Sequence, residues 1–532
     1  PGLARLACGA AAGAAVALKV FRRDVQIGHA PQERQQPSQQ DRAREVKLQQ
    51  QLEEFNLYRT RIRANGPPAR DDVYWSREER RLFKSSHVVA GINFDKYDDI
   101  EVEREGGTGE EEPKESFQKI SEAYDLPEAL IENFKRCGYD KPTPVQKHAI
   151  PASLAGTDVM VCAQTGSGKT AAFLTPLVAT AMREGPRPAA KGPVMPSGLV
   201  LAPTRELCQQ IAVEARRLTF RSNIRIASIF GGSSARWQLQ EIAEGCDIAI
   251  ATPGRLTDFL GRGVIGVEQV KYLALDEADR MLDMGFEVQI QEIMDDYHMP
   301  EPGDRQTMMF SATFPDEVQD LALDYLDPSY MWIGVGKVGS AADSVEQRFE
   351  ECASHDSDSK IEVLLDVLKQ VEDEDGHIGR SIVFANTKAM VDDIAWKLNR
   401  QDVRTTTIHG GLDQRERNQS LRDLKHGNVT VLVATDVAAR GLDLPDVAHV
   451  VNFDLPSNVE DYIHRIGRTG RIGNKGVATS LVGGNDGCVP GIVRHLRDAL
   501  AEDPDASPVP DWLEAQASRG TQRRRISRHR SR

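Results

Sequence analysis

The sequence predicts two parallel-sheet α/β domains in tandem, joined by a flexible linker and flanked by disordered N- and C-terminal extensions. Short β-rich runs alternate with helical patterns from residue 126 to residue 334, and a second alternation follows a glycine-rich stretch. Each strand ends in polar, glycine or proline residues before the next helix, which is typical of βαβ units. A chain of 532 residues with 40% hydrophobic content can form two such cores.

The chain divides at changes in composition. Residues 44–62 carry apolar residues at helical spacing, so an interaction helix is the alternative to a largely disordered extension there. The acidic run between Asp95 and Glu112 is expected on the surface, because so many carboxylates cannot be buried together. The predicted divisions are the N-terminal extension at 1–90, the first domain with its preceding segment at 91–335, the linker at 336–342, the second domain at 343–498, and a C-terminal segment with an arginine-rich tail at 499–532.

Charge and cysteine content exclude several classes of protein. A formal net charge of −14 argues against non-specific coating of nucleic acid, so any nucleic-acid site should be a local basic groove. The seven cysteines are scattered and show no C-x-x-C spacing, which predicts reduced thiols without a zinc site or disulfide framework. No apolar run reaches membrane length, so we expect no membrane association. The alanine-rich start is interpreted as a disordered leader, with a targeting remnant as the alternative.

The segment AQTGSGKTAAF at residues 163–173 follows the apolar run DVMVCA. A strand that ends in a glycine turn and continues into a helix directs backbone N–H groups and the helix dipole into one concavity. This geometry predicts a phosphate site, with Lys169 at the β- and γ-phosphates and the Thr170 hydroxyl helping to hold Mg²⁺. The pattern alone leaves a flexible glycine-rich turn open as the alternative.

A second candidate element is KYLALDEADRMLDMGF, in which an apolar strand ends in Asp276 and Glu277. A phosphate-loop enzyme needs one carboxylate for Mg²⁺ and a second group that orients the attacking water. Carboxylate pairs are common on protein surfaces, but this pair follows a predicted strand downstream of the phosphate loop. Its position therefore favours a catalytic role.

Residues 276–279 read DEAD, and the chain resembles the DEAD-box RNA helicases over about residues 91–517. The flanks AGINFDKYDDI and VPDWLEAQA further resemble the subfamily of Vasa and its translation-initiation relatives. The resemblance implies two RecA-like domains. The motifs that carry it are, in chain order, GYDKPTPVQ at 138–146, AQTGSGKT, PTREL at 203–207, Gly231-Gly232, TPGR at 252–255, DEAD, SAT at 311–313, IVFANT, the Gln414/Arg417 pair, ATDVAARGLD at 434–443 and HRIGRTGR at 464–471.

The resemblance implies ATP and Mg²⁺ as cofactors. Thr170 and Asp276 would hold the metal, partly through water. Phe117 is the candidate aromatic residue for stacking on adenine, although it lies farther upstream of Gly138 than is usual in the family. The other residues implied at the nucleotide are Lys141, Thr143, Gln146, Ala163, Gln164, Thr165, Gly166, Ser167, Gly168, Lys169, Thr170 and, at the ribose, Asp443.

The resemblance also assigns catalytic residues to both domains. Lys169, Asp276 and Glu277 belong to the first domain, while Arg468 and Arg471 of the second resemble the arginine fingers that reach the γ-phosphate. Such charge stabilisation contributes roughly a thousand-fold or more to the rate of phosphoryl transfer. Ser311, Thr313 and His464 are expected near the DEAD carboxylates, where they would couple the RNA and ATP sites.

RNA is expected to cross the strand ends of both domains. Backbone N–H groups at glycine turns and helix starts suit phosphates, and small polar residues suit 2′-hydroxyls, so binding should be independent of base sequence. The family usually carries Asp and Arg where this chain has Gly411 and Leu412, so one basic contact is expected to be absent. The implied RNA-binding residues are Pro203, Thr204, Arg205, Gly232, Thr252 and Arg255 in the first domain and Gln414, Arg417, Thr435 and Arg440 in the second.

These features predict an RNA-stimulated ATPase and RNA helicase that unwinds short duplexes or remodels RNA-protein complexes by ATP-driven domain closure. One alternative is an ATP-locked RNA clamp or scaffold with incidental turnover, and another is a DNA translocase with the same domain plan. We expect RNA as the main partner, protein partners at the two extensions, a monomer, and a cytoplasmic location with the nucleus as a second compartment. The sequence does not identify the RNA or the pathway.

Overall fold

The computed structural model of the chain describes most of the two predicted domains and part of each extension. The described residues are 39–66, 68–83, 100–109, 111–164, 166–188, 192–232, 234–336, 345–352, 357–371, 379–436, 447–470, 476–483, 486–502 and 509–518. Residues 337–342 of the predicted linker lie outside these ranges. So do Thr165, Arg440, Asp443 and Arg471 of the predicted sites.

The first domain is built on an eight-stranded sheet with the order β1-β8-β2-β7-β6-β3-β5-β4. Strand β1 is antiparallel to β8, and the other neighbouring pairs are parallel. The strands are β1 (Val102–Gly106), β2 (Val159–Ala163), β3 (Gly198–Leu201), β4 (Ile226–Ile229), β5 (Ile248–Ala251), β6 (Tyr272–Leu275), β7 (Gln306–Ser311) and β8 (Met331–Val335).

Helices cover both faces of this sheet, because successive side chains of a strand point to opposite sides. In β2, Val159 and Val161 pack into one hydrophobic cluster, and Met160 and Cys162 pack into the other. The helices of the domain are α3 (Phe117–Tyr124), α4 (Glu128–Cys137), α5 (Pro144–Leu154), α6 (Lys169–Glu184), α7 (Arg205–Leu218), α8 (Ala235–Glu244), α9 (Pro253–Gly261), α10 (Ala278–Asp283), α11 (Glu287–Gln291), which continues as a π-helix at Glu292–Asp296, and α12 (Asp316–Tyr325).

The second domain contains a six-stranded parallel sheet with the order β11-β12-β10-β13-β14-β9. Its core again lies on both faces of the sheet. The elements are β9 (Val345–Glu351), α13 (Ser357–Lys369), β10 (Ser381–Phe384), α14 (Lys388–Asn399), β11 (Thr405–Ile408), α15 (Gln414–Lys425), β12 (Val431–Ala434), β13 (His449–Asn452), α16 (Val459–Ile466), β14 (Gly476–Val482) and α17 (Val489–Glu502). The predicted tandem α/β fold is confirmed.

The N-terminal extension contains two helices that pack on the first domain, α1 (Gln39–Asn65) and α2 (Asp72–Phe83). Helix α1 lies along α8, where Phe55 is buried and the Tyr58 hydroxyl donates to Glu244 Oε1 at 3.0 Å. In α2, Leu82 is buried and the Trp75 ring meets Phe220 edge to face. This part of the extension therefore differs from the largely disordered segment that we expected, because its few apolar residues pack against the first domain.

Two further segments differ from the sequence-based expectations. Glu111 of the acidic run is buried, because its carboxylate accepts hydrogen bonds from Thr157 and from the backbone N–H groups of Thr108 and Gly109. Residues 511–518 form a helix whose Leu513 is buried in the second domain, although we expected a disordered C-terminal extension there. Among the helices in the described ranges, none is long and apolar enough to cross a membrane.

Candidate nucleotide and RNA site

The phosphate loop connects β2 to the first residue of α6. Gly168 caps this helix in the left-handed region at φ 87°, and a Cβ atom there would lie 2.6 Å from Gln146 Nε2, so glycine is required. Lys169 is buried, and its Nζ donates to the Ala163 carbonyl at 2.6 Å and lies 3.3 Å from the Ser311 carbonyl. The ammonium group therefore lies within the cradle where phosphates are expected.

Two of the predicted adenine-side residues form hydrogen bonds with this loop. Thr143 and Gln146 form a capping box at the start of α5. The Thr143 hydroxyl donates to the Ser167 carbonyl at 2.8 Å, and Gln146 Nε2 donates to the Gly168 carbonyl at 3.1 Å. Both side chains are buried, while Lys141 is half-buried. The start of α5 is thus fixed directly to the phosphate loop.

Phe117 lies in the core instead of at an open surface. Its side chain is buried and stacks on Tyr139 with 5.6 Å between the ring centroids. Tyr139 is half-buried, and its hydroxyl donates to Glu214 of α7. The burial of Phe117 does not support stacking of its ring on adenine, and that role stays a prediction.

The ends of β2, β7 and β6 place the catalytic groups side by side, because β7 lies between the other two strands. Asp276 and Glu277 follow β6 and are both buried. Burial raises the pKa of Asp276 to about 7, and the Glu277 carboxylate also raises it, whereas Lys169 lowers it. Glu277 Oε2 accepts no hydrogen bond from the described residues and lies 3.7 Å from Arg280 Nε.

This donor set fits Mg²⁺. A hard divalent cation prefers carboxylate and hydroxyl oxygens, which Asp276 and Thr170 can supply together with the phosphates of a nucleotide. A cation there would also offset the cost of burying two adjacent carboxylates. Gln164, Gly166 and Ser167 complete the described loop around the cradle.

Asp279 is the polar centre of the site, and the sequence did not single it out. One of its oxygens accepts from the Ala312 N–H at 3.2 Å and from the N–H and hydroxyl of Thr313 at 3.1 and 3.0 Å. The same oxygen lies 3.4 Å from His464 Nε2 of the second domain. Burial alone would raise the pKa of Asp279, but His464, Arg280 and Lys169 lower it well below its usual range. The carboxylate is therefore ionised.

The second domain brings Arg468 to the same region. Its side chain is buried, and Nε donates to the His464 carbonyl at 3.1 Å. A small cavity between the domains is lined by Arg280 of the first domain and by His464 and Arg468 of the second. Arg465, beside them, pairs with Asp436 through two 2.5 Å contacts and thereby fixes the end of α16.

The predicted RNA residues of the first domain follow three neighbouring strands. Thr204, Gly232 and Thr252 come after β3, β4 and β5, and Thr204 and Thr252 each begin a helix. Pro203 is buried beside Thr204, and the Arg205 guanidinium lies against the Cα of Gly232. Arg255 lies over the Phe259 ring and 3.7 Å from Asp258.

Two predicted RNA residues of the second domain contact the start of α7 in the first domain. Gln414 accepts a hydrogen bond from Arg205 Nη1 at 3.1 Å, and Arg417 Nη2 lies 2.8 Å from Glu206 Oε1. Thr435 follows β12, next to the strand that precedes Gln414. Glu206 was not predicted as a site residue, although its position within PTREL could have indicated it.

Two family models match the chain. One, described as DEAD/DEAH box helicase, matches residues 143–321, and the other, described as helicase conserved C-terminal domain, matches residues 359–473. Together they span more than half of the chain and include both sets of motifs. The chain belongs to the DEAD-box helicase family. It is an RNA-stimulated ATPase.

Solved structures of DEAD-box relatives resemble this chain. Saccharomyces cerevisiae Dbp5 bound to RNA and ADP BeF3 shares 28% identity and a TM-score of 0.61, with 76% of this chain and 100% of that chain covered. Mss116p bound to single-stranded RNA and AMP-PNP shares 26% identity and a TM-score of 0.64, with 78% of this chain and 84% of that chain covered. A single-residue variant of S. cerevisiae Dbp5, bound to a Gle1 variant and IP6, shares 27% identity and a TM-score of 0.55, with 76% and 97% covered.

Proposed function

We propose that this DEAD-box ATPase binds single-stranded RNA independently of base sequence and unwinds short duplexes, or remodels RNA-protein complexes, by closing its two domains. The supporting observation is that both sites are shared between the domains. Asp279 meets His464 on the nucleotide side, and Glu206 meets Arg417 on the RNA side. A ligand that binds at either place favours the closed arrangement, so ATP and RNA should strengthen each other's binding.

Each catalytic residue then has a definite task. Lys169 holds the β- and γ-phosphates, and Glu277 orients the attacking water. Arg468 stabilises the charge that develops on the γ-phosphate, and it does so only when the domains meet. Thr170 and Asp276 would hold Mg²⁺, which supplies further neutralisation of phosphate charge when bound.

The proposed independence from base sequence rests on the kinds of groups at the RNA surface. The residues at the strand ends, such as Thr204, Gly232 and Thr252, offer backbone N–H groups and small hydroxyls. These groups suit phosphate and ribose oxygens, whereas base edges are read by longer polar side chains. RNA is bound in the Dbp5 and Mss116p structures, which favours RNA over DNA for this chain as well.

Finer assignments are also proposals. The flanks AGINFDKYDDI and VPDWLEAQA favour the Vasa-like subfamily, and Gle1 on Dbp5 is a precedent for a protein partner. We propose a monomer that acts in the cytoplasm, with the nucleus as a second compartment, and that meets protein partners through its extensions.

The decisive experiment measures ATP turnover with and without RNA for Lys169→Ala and Arg468→Ala. We expect each variant to lose RNA-stimulated turnover, for Arg468→Ala by roughly a thousand-fold. Arg497→Ala is the matched control, because this arginine is exposed on α17 and pairs with Glu514 at the surface. Full turnover in either site variant would contradict its assigned role.

Two further measurements separate this proposal from its alternatives. Displacement of one strand from a short RNA duplex is expected in the presence of ATP. Turnover without displacement would indicate an ATP-locked clamp instead. Stimulation by single-stranded DNA equal to that by RNA would indicate a DNA translocase.

A further inference from the structure

Trp237 is a large apolar side chain that remains exposed beside the proposed RNA surface. It lies in the first turn of α8, with 38% of its surface accessible. Its indole packs on Phe230 with 5.4 Å between ring centroids, and Phe230 itself is buried. The indole therefore packs against Phe230 while part of its surface remains accessible to solvent.

The support beneath this ring is rigid. Gln238 accepts a hydrogen bond from the Phe230 N–H at 3.0 Å and donates to the Phe230 carbonyl at 3.0 Å, and the Gln238 side chain is fully buried. Gly231 and Gly232 follow directly, and Gly232 has a φ of 72°, which favours glycine. The indole is thus held at a fixed place next to the turn that contains Gly232, a predicted RNA contact.

The neighbouring charge is of the right sign for a nucleic acid. Arg236 precedes the tryptophan, and 74% of its side chain is exposed, with Nε 3.3 Å from Glu54 of α1. The Arg205 guanidinium lies against Gly232 in the neighbouring turn. An exposed aromatic ring with Arg236 next to it in sequence and Arg205 at the neighbouring glycine turn has the composition of sites that bind single-stranded nucleic acid without sequence preference.

Other exposed apolar side chains in the described part of the chain lack this setting. Trp396 is more exposed, at 57%, but it lies on α14 of the second domain with the Arg400 guanidinium 4.8 Å above its ring. Val288 and Leu323 lie on α11 and α12, away from the strand ends that carry RNA residues. Trp237 is close in sequence and space to Gly232.

We propose that Trp237 stacks on one RNA base, next to the phosphate that the Gly232 turn holds. This inference rests on the proposed function, because it extends the same RNA surface by one binding position. Stacking is tolerant of base identity, since every base offers a π-face. The indole would therefore add affinity and fix the register of the strand without adding sequence preference.

The test measures binding of fluorescein-labelled twelve-nucleotide oligouridine in the presence of AMP-PNP and Mg²⁺. We expect Trp237→Ala to weaken this binding by about 5- to 150-fold, the range of one stacked base. Trp237→Phe should retain most of the affinity, because a ring remains. Trp396→Ala is the matched control and should bind RNA like the wild-type protein.

A scan of the same oligouridine with single abasic nucleotides identifies the stacked base directly. In the wild-type protein one abasic position should weaken binding, and in Trp237→Ala that position should lose its effect. Wild-type affinity in Trp237→Ala, or equal losses in Trp237→Ala and Trp237→Phe, would overturn the proposal. Wild-type affinity in Trp237→Ala would leave the indole free for a protein partner. Equal losses in the two variants would assign the indole to packing on Phe230.

These outcomes are separable from failure of the proposed function. If the wild-type protein did not bind oligouridine or turned over ATP without RNA stimulation, the function itself would be wrong. If the wild-type protein passed both tests and the Trp237 variants matched it, only the stacking proposal would fail.

Discussion

Arg417 Nη2 of the second domain lies 2.8 Å from Glu206 Oε1 of the first, and the two side chains are only 12% and 5% exposed. Beside them, Arg205 donates to Gln414 across the same interface. Three of these four residues are predicted RNA contacts. Arg205 and Gln414, both predicted RNA contacts, therefore touch each other where the domains meet, so RNA bound at these residues would be linked to domain closure.

Glu206→Gln should weaken that link. The substitution removes the charge that compensates Arg417, so the closed arrangement loses a buried ion pair. We expect the RNA concentration for half-maximal ATPase stimulation to rise by about 5- to 150-fold, the usual range of coupling between sites. Arg415→Ala is the control, because Arg415 lies exposed on α15, the helix that carries Arg417, and its loss should change the RNA dependence little. An unchanged RNA dependence in folded Glu206→Gln would show that the pair does not contribute to closure.

Asp279→Asn should separate basal from RNA-stimulated turnover. An asparagine keeps the size of the side chain, but its NH2 group must face either the Arg280 N–H or the N–H groups of Ala312 and Thr313, and the charge that faces His464 is lost. We expect the stimulation by RNA to fall at least tenfold and the free energy of unfolding to fall by about 1–3 kcal/mol. ATPase assays and urea unfolding measure the two effects. Asp283→Asn, exposed at the end of the same helix, is the control, and equal effects in both variants would contradict a specific role for Asp279.

The elements predicted from the sequence were those whose signal is local. Strands β2 and β10 are short apolar runs that are buried on both faces, so composition alone indicates them. Strands β1 and β9 lie at sheet edges and read VEREG and VEQRFEE, so they become recognisable only through their backbone partners. The docking of α1 was only the alternative expectation for the same reason, since Phe55 is buried only because α8 is present.

The same distinction holds for the site. Lys169, Asp276 and Glu277 could be assigned because each lies in a motif directly after a strand. Asp279 and Glu206 also lie in motifs, but their importance comes from contacts with His464 and Arg417 in the other domain. Contacts at such sequence separation are set by how the two sheets face each other. A single sequence does not specify that arrangement.

Glu111→Gln should destabilise the first domain most at neutral pH. Burial alone would raise the pKa of Glu111, but hydrogen bonds from Thr157 and Thr108 lower it from 4.5 to about 2. Because the folded state lowers this pKa, the carboxylate stabilises the fold above pH 4.5, and that contribution is lost as the pH falls toward 2. We expect Glu111→Gln to lower the free energy of unfolding by about 1–3 kcal/mol at pH 7.

Urea unfolding at several pH values measures this difference, which should shrink steadily as the solution is acidified below pH 4.5. Glu112→Gln is the matched control, because the neighbouring side chain is 81% exposed and should affect stability little at any pH. If the loss in free energy of unfolding in Glu111→Gln stayed constant as the pH fell toward 2, the shape of the side chain and not its charge would account for the role of Glu111.

Phe55→Ala should release α1 from the first domain. Phe55 is 5% exposed in the contact with α8, whereas Leu57 on the outer face of the same helix is 59% exposed. Removing a buried phenyl ring costs about 3–5 kcal/mol, so local opening of α1 should become at least a hundredfold more frequent. Hydrogen exchange measured by mass spectrometry should show faster exchange in α1 and α8, while Leu57→Ala leaves both near wild-type rates. If exchange in Phe55→Ala were unchanged, the contacts of Tyr58 with Glu244 and of Arg59 with the Pro193 carbonyl would suffice to hold the helix.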